Sequence, residues 1–366
     1  MGQQRARFDR ILFLVIVALV VGGLFIFASA SLGLLARGTV PIQSVLFSHI
    51  LLGIGGGMIA LYIASKIRYR VWKQFAIPLY ILSLIATALV FIPALGLSSG
   101  GAVRWILIGP VSFQPSEALK VGVILALAML FSTYRHQVQS SWKGLGVLLL
   151  VLLGPAVLLL AQPDTGTFGV ILITAGAMFV ATGARFKEIL ILGILAVAMV
   201  LILAFFRPYV LERFSTFLNP LADPTGGGYQ IKQSLIAVGS GGIVGRGFGQ
   251  SVQKFSYLPE PMSDSIFAVA AEEFGLIGSL FIIGLFIAFA VRGFWTAAHS
   301  PDYFGALLAV GIVSYIVGQA FINIASMLGV IPLTGLPLVF ISHGGSAMLV
   351  ALASCGILLN ISRYAK

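Results

Sequence analysis

Glu188-Ile189-Leu190-Ile191-Leu192-Gly193-Ile194-Leu195-Ala196-Val197-Ala198-Met199-Val200-Leu201-Ile202-Leu203-Ala204-Phe205-Phe206 carries a single charge, at its first residue, and no polar side chain after it. A bilayer core of about 30 Å takes about 20 apolar residues of helix, an element that satisfies its own backbone in lipid. The run therefore reads as a membrane-spanning helix. Working outward from it, nine further runs of the same kind lie near Ile11 to Ala28, Val45 to Ala64, Phe75 to Leu95, Glu117 to Thr133, Leu145 to Ala161, Phe168 to Thr182, Ser265 to Val291, Phe304 to Leu328 and Leu336 to Ile361. The chain is expected to be an all-α polytopic membrane protein with ten transmembrane helices, forming one domain over residues 1–366. Composition agrees: 59% of the residues are hydrophobic, 9% are charged and mean hydropathy is +1.07, whereas about a quarter of an ordinary soluble chain is charged. There is too little polar surface here for a soluble enzyme or a disordered protein. Cys355 is the only cysteine, which excludes an intrachain disulfide and a cysteine zinc site.

Arg5, Arg7 and Arg10 precede the first run, and Ala28-Ser29-Ala30 after it imitates a signal-peptide cleavage site. With nine more spans to follow, an uncleaved first helix is the simpler reading. Placing the N-terminus inside puts 14 of the 22 basic residues on that side in short segments, including Lys66, Arg68, Arg70, Lys73, Arg363 and Lys366. That asymmetry predicts both termini in the cytoplasm. The net charge of +11 is scattered between apolar runs rather than gathered in a stripe, so it does not point to nucleic acid. No internal repeat of the kind common in secondary transporters is visible.

The segment that follows the opening run, residues 207–263, is the large extracellular or periplasmic loop between the seventh and eighth helices. Loops of such length are usually functional or disordered. Tyr229 to Val238 within it carries Ile231, Leu235 and Val238 at helical spacing, the pattern of an amphipathic helix on the membrane face. Its glycine run, Gly239-Ser240-Gly241-Gly242-Ile243-Val244-Gly245-Arg246-Gly247-Phe248-Gly249, permits close backbone approach, and its amides are candidates for phosphate oxygens. Asp264, at the end of the loop, is either the N-cap of the eighth helix or a general base or cation ligand beside an anionic substrate, with Lys232, Arg246 and Lys254 in the same loop. Glu117 and Lys120, three apart on one helix face, read as a structural ion pair or a substrate contact. Glu272 and Glu273 need partners and read as structural. Asn323, Ser326, Thr334 and Ser342 surround prolines and glycines at membrane depth, a broken helix that is tolerated where it lines a cavity. His136 and His299 read as isolated surface residues.

Several motifs in order give the chain a resemblance to the SEDS family of shape, elongation, division and sporulation membrane proteins, the family of RodA and FtsW. They are Gly101-Ala102-Val103-Arg104-Trp105-Ile106; Phe113-Gln114-Pro115-Ser116-Glu117 with Lys120; Gln162-Pro163-Asp164-Thr165-Gly166; Gly228-Tyr229-Gln230 with Gln233-Ser234; Leu258-Pro259-Glu260; and Glu272-Glu273-Phe274-Gly275. Gly245 to Lys254 followed by Tyr257 to Pro261 is closer to the division branch than to the elongation branch. The resemblance implies a peptidoglycan glycosyltransferase that polymerises lipid II on the outer face of the bacterial cytoplasmic membrane. It also implies a class B penicillin-binding transpeptidase as partner, with other divisome or elongasome membrane proteins. The family's essential aspartate falls on Asp264. Where the family usually reads His-Thr-Asp-Phe this chain has Met262-Ser263-Asp264-Ser265, and it has His343 in place of a usual tyrosine. On this reading Asp264 is the general base or the ligand of a divalent cation, Mg2+ or Mn2+, with no organic cofactor. Arg246, Lys254, Lys232 and Arg104 are the candidates for the lipid pyrophosphate, and Gln230 and Gln233 are further substrate contacts. A lipid II flippase and a non-catalytic scaffold that recruits the transpeptidase are the competing readings.

Overall fold

The computed structural model of the chain describes residues 8–37, 47–99, 102–108, 111–140, 142–220, 223 and 226–365. Arg5, Arg7, Val45, Gly101 and Lys366 lie outside the described residues. Helix α1, Arg10–Arg37, begins at Asp9, whose carboxylate accepts from the Ile11 and Leu12 amides at 2.9 and 3.0 Å. It runs unbroken through Ala28-Ser29-Ala30, and Ser29 is wholly buried. A π-wound stretch, Phe47–Gly56, leads into α2, Gly57–Lys66. A Cβ on Gly57 would come within 2.6 Å of Leu352, so glycine lets this helix press against the last one.

Helix α3, Val71–Leu89, is followed by a small antiparallel sheet of Gly96–Ser99 (β1), Ala102–Ile108 (β2) and Val111–Phe113 (β3), in the order β1-β2-β3. The sheet is an addition to the helical reading, in a stretch too short and too interrupted by glycine to show alternation. Next come α4, Pro115–Thr133, with proline at its first turn; α5, Arg135–Ser140; α6, Lys143–Ala161; α7, Thr165–Ala181; and α8, Phe186–Phe206. The long loop holds three helices: α9, Pro208–Leu218; α10, Gly227–Gly241; and α11, Gln253–Ser256. Only α10 answers to the expected amphipathic helix. The chain ends with α12, Ile266–Ala298; α13, Tyr303–Met327; and α14, Gly345–Ser362.

Among the described residues nine helices are long and apolar enough to cross a membrane, and Thr165–Ala181 is a shorter apolar one. Its 17 residues rise about 26 Å at 1.5 Å each. The run expected from Leu336 becomes helical only at Gly345, because Gly335 and Phe340 take φ of 65° and 69° and Pro337 cannot donate to a helix. Helix α14 is buried along most of its length, whereas α8 buries only Glu188 and Leu192.

Helix α12 is broken at Gly275, where φ is 64°. The glycine run of the long loop docks into that break. Arg246 and Gly247 donate their amides to the carbonyls of Glu272 and Glu273 at 3.0 and 2.9 Å, and Leu276 and Ile277 donate back to Gly242 and Ile243 at 2.9 and 3.1 Å. A Cβ on Gly275 would lie 2.3 Å from the Gly245 nitrogen. These glycines therefore serve backbone-to-backbone packing, and the Arg246 and Gly247 amides are already bonded rather than open to phosphate.

Candidate active site

Asp264 lies in the turn between α11 and α12. The turn is closed by the Ser263 and Ser265 amides donating to the Glu260 carbonyl at 3.1 and 3.2 Å. It is fixed from behind by the segment after α13. The His343 amide donates to the Met262 carbonyl at 2.7 Å, the Ser342 hydroxyl to the Ser263 carbonyl at 2.5 Å, and the Asn323 amide to the Asp264 carbonyl at 2.7 Å. Ser326 in turn donates to the Asn323 carbonyl at 2.8 Å. Asn323, Ser326 and Ser342 thus brace the turn instead of lining the cavity in front of it.

The Asp264 carboxylate does not cap α12. Ser265 is the N-cap residue, and no side chain bonds the first-turn amides. Instead Oδ2 accepts from Gln230 Nε2 at 3.1 Å, while the same Gln230 nitrogen donates to Ser265 Oγ at 3.0 Å. Oδ1 is buried and has no side-chain partner among the described residues. Burial pushes the Asp264 carboxyl up to about 6; the Gln230 bond lowers it and the Glu260 charge raises it.

A cavity of about 650 Å³ opens in front of this carboxylate, and Arg104, Pro163, Arg213, Gln230 and Asp264 are among its walls. Helix α9 supplies Tyr209, Glu212, Arg213 and Thr216 to it, at spacings of three, one and three, which is one face of a helix. Burial, then the neighbouring Arg104 cation, lower the Arg213 pKa from the usual arginine value. Two guanidinium groups close enough to oppose each other favour an anion between them. Arg104 is anchored by the carbonyls of Gln162 and Pro163. Through Arg213 and Leu333 the cavity adjoins an apolar groove of about 240 Å³ between α7, α8 and α9, where Thr334 is found.

The other expected contacts fall elsewhere. Lys254 is fully buried, and its Nζ lies 2.6 Å from Glu273 Oε1 and 2.8 Å from Ser29 Oγ. It is a structural counter-charge and not a pyrophosphate ligand, because folding carries it 225 positions back onto α1. Arg246 is 41% exposed beside Glu272 at 3.6 Å, and neither it, Lys232 nor Gln233 lines the cavity. Glu117 and Lys120 form a 2.8 Å pair inside the bundle; Lys120 also donates to Gln319 at 2.6 Å and Tyr315 donates to Glu117 at 3.3 Å. That is the structural ion pair. His343 turns its ring toward Phe27 and His49, so of the unusual residues around Asp264 only Ser265 shares a bond with Gln230. Arg213 and the rest of the α9 face were not anticipated, although the stripe Tyr209, Glu212, Arg213, Thr216 is visible in the sequence.

A model of the cell cycle protein family FtsW/RodA/SpoVE matches residues 9–366. The chain belongs to that family. Among its FtsW/RodA/SpoVE relatives, stage V sporulation protein E of Bacillus subtilis is 40% identical over 86% of each chain. The probable peptidoglycan glycosyltransferase FtsW of Halothiobacillus neapolitanus is 39% identical over 98% of this chain and 87% of its own. A solved chain from a peptidoglycan synthase complex that coordinates polymerization and crosslinking superposes with a TM-score of 0.79 at 28% identity, covering 98% of this chain and 99% of that one. The rod shape determining protein RodA of Thermus thermophilus gives a TM-score of 0.71 at 26% identity, covering 97% of both.

Proposed function

We infer that this family member is a peptidoglycan glycosyltransferase, serving cell division, in which Asp264 is the general base for glycan polymerisation. The observation that carries the reading is the Asp264 carboxylate, its Oδ1 buried, at the wall of a cavity shared with Arg104 and Arg213. In the reaction proposed, the 4-hydroxyl oxygen of one lipid II attacks the anomeric carbon of another. Its proton passes to the ionised Asp264 carboxylate. The bond from that carbon to the lipid pyrophosphate breaks, and the leaving pyrophosphate keeps the electron pair. Arg104 and Arg213 hold the developing charge, and direct displacement inverts the anomeric centre. The groove beyond Arg213 is apolar and suits a polyprenyl chain. A carboxylate pKa of about 6 leaves most of the base ionised at neutral pH.

Among the described residues no three His, Cys, Asp or Glu side chains gather as a metal site. The proposed chemistry rests on the Asp264 carboxylate and the arginines. The cavity is assigned to the outer face of the cytoplasmic membrane and both termini to the cytoplasm, in keeping with the distribution of arginine and lysine. A class B penicillin-binding transpeptidase is the proposed partner. The flippase reading gains nothing from the bundle interior, where the ionisable pair Glu117 and Lys120 is closed on itself.

The test is incubation of the purified chain with lipid II, alone and with its transpeptidase, followed by electrophoresis of the products. Glycan strands support a polymerase. No strands under either condition, with labelled lipid II crossing vesicles that contain the chain, would replace it with a flippase.

A further inference from the structure

A second cavity, of about 250 Å³, lies at the other end of α12 and is lined by Arg68, Tyr69, Arg70, Val71, Gln74 and Tyr364. The 33 residues of α12 separate it from Asp264 by about 50 Å of helix. It is well under half the size of the cavity of about 650 Å³ in front of Asp264, which suits a small head group better than a disaccharide with its peptide.

The walls are built rigidly. Tyr69 is buried, its amide donates to Asn360 Oδ1 at 2.8 Å, and its hydroxyl donates to Asp302 Oδ2 at 2.5 Å. Arg70 Nε reaches the same oxygen at 2.8 Å, while Asp302 Oδ1 accepts from the Gly305 amide at 2.8 Å. Asp302, the carboxylate beside the cavity among the described residues, is thereby ion-paired with Arg70 through Nε and bonded to Tyr69 and Gly305. This fixes the Arg70 side chain at the cavity wall and leaves Arg68 as the uncompensated cation. Arg68 has no bonded partner among the described residues and is exposed. Tyr364 packs edge-on to Tyr69 with ring centroids 5.5 Å apart. Aromatic rings beside arginines mark the depth of lipid head groups. Below Gln74 the outer face of α3 continues as an exposed stripe of Val71, Phe75, Pro78 and Leu82, the i, i+4, i+7, i+11 face of a helix. The cavity thus opens onto an apolar surface of acyl-chain character, as basic pockets between transmembrane helices do where they hold anionic head groups.

We propose that this cavity binds the phosphodiester head group of an anionic phospholipid, with Arg68 and Arg70 as donors to the phosphate oxygens and the acyl chains lying along Val71, Phe75 and Leu82. The probe is native mass spectrometry of the full chain released from nanodiscs of equal phosphatidylglycerol and phosphatidylcholine. Wild type is expected to retain phosphatidylglycerol preferentially, and Arg68→Gln to lower that preference about fivefold. Gln74→Glu, which places a negative charge in the cavity, should lower it by a similar factor. Neither side chain makes a hydrogen bond or ion pair among the described residues, so both variants should melt with wild type in lipid-free detergent, which separates lost binding from lost fold. An equal phosphatidylglycerol preference in wild type and both variants, or none in wild type, overturns the proposal. Stabilisation of wild type but not of Arg68→Gln by millimolar inorganic phosphate, without any lipid preference, would keep the phosphate site and overturn its assignment to a lipid.

Discussion

Glu117 and Asp264 are both acids at the head of a helix, and the bundle treats them in opposite ways. Glu117 is buried against Lys120 at 2.8 Å, with Tyr315 on its second oxygen. Glu273 is likewise closed, by Lys254 at 2.6 Å and Ser29 at 2.6 Å. Asp264 is held by the Gln230 side chain and by the neighbouring backbone amides of residues 264 and 265, with no cation in contact among the described residues. Leaving an acid unpaired away from water is costly, and Glu117 and Glu273 each have a dedicated lysine. Asp164 and Glu188 also keep one buried oxygen without a partner among the described residues, but they do not share a cavity with both Arg104 and Arg213 as Asp264 does. A carboxylate kept without a contacting cation in front of two arginines is therefore a feature of the site and not of the packing.

The sharpest way to break the contrast is to make a structural acid resemble Asp264. Lys254→Met leaves Glu273 buried without its cation and should cost about 3 to 5 kcal/mol, read as a lower unfolding temperature in detergent. If that variant melts with wild type and loses only polymerisation, Lys254 belongs to the substrate after all. Arg213→Gln should do the reverse, lowering kcat/KM by about 100-fold, the scale for losing one donor to a developing anion, with unfolding unchanged. Arg246→Gln, outside the cavity, should leave turnover within about threefold of wild type, a surface-scale effect.

Smaller effects belong to the titration of Asp264. Its ionised form is the base, so the rate should climb as pH rises through about 6. The Gln230 bond lowers the carboxyl pKa; Gln230→Leu should therefore move the rising limb of the pH–rate profile to higher pH. Glu260 raises it, so Glu260→Gln should move the limb the other way and by less. Limbs that stay in place in both variants would assign the profile to another group.

The bundle was legible because an apolar run of span length has few other solutions in lipid. Most of the expected runs meet an apolar helix near their bounds, nine helices among the described residues are long and apolar enough to span, and the run from Leu336 becomes helical only at Gly345. Asp264 was legible as a candidate from its place between a polar loop and a span, even though Met262, Ser263 and Ser265 around it depart from the family motif. Arg213 was missed although its helical face can be read in residues 209–216, because the loop was searched for one amphipathic helix and holds more. Lys254 was misread for a different reason. Nothing local to residue 254 reveals that Ser29 and Glu273 will close around it, and a lysine in a loop near an acid looks the same whether it meets substrate or locks two helices. The sheet of residues 96–113 escaped because pairing across such short strands depends on the turns between them more than on alternation.

The central claim is that Asp264 performs chemistry and does not hold the fold. Its direct test is polymerisation of lipid II by Asp264→Asn beside wild type, with unfolding temperature and transpeptidase binding measured on the same preparations. The expected result is glycan strands from wild type, none from the variant, and equal unfolding and partner binding. Strands from the variant at a rate near that of wild type would contradict the account.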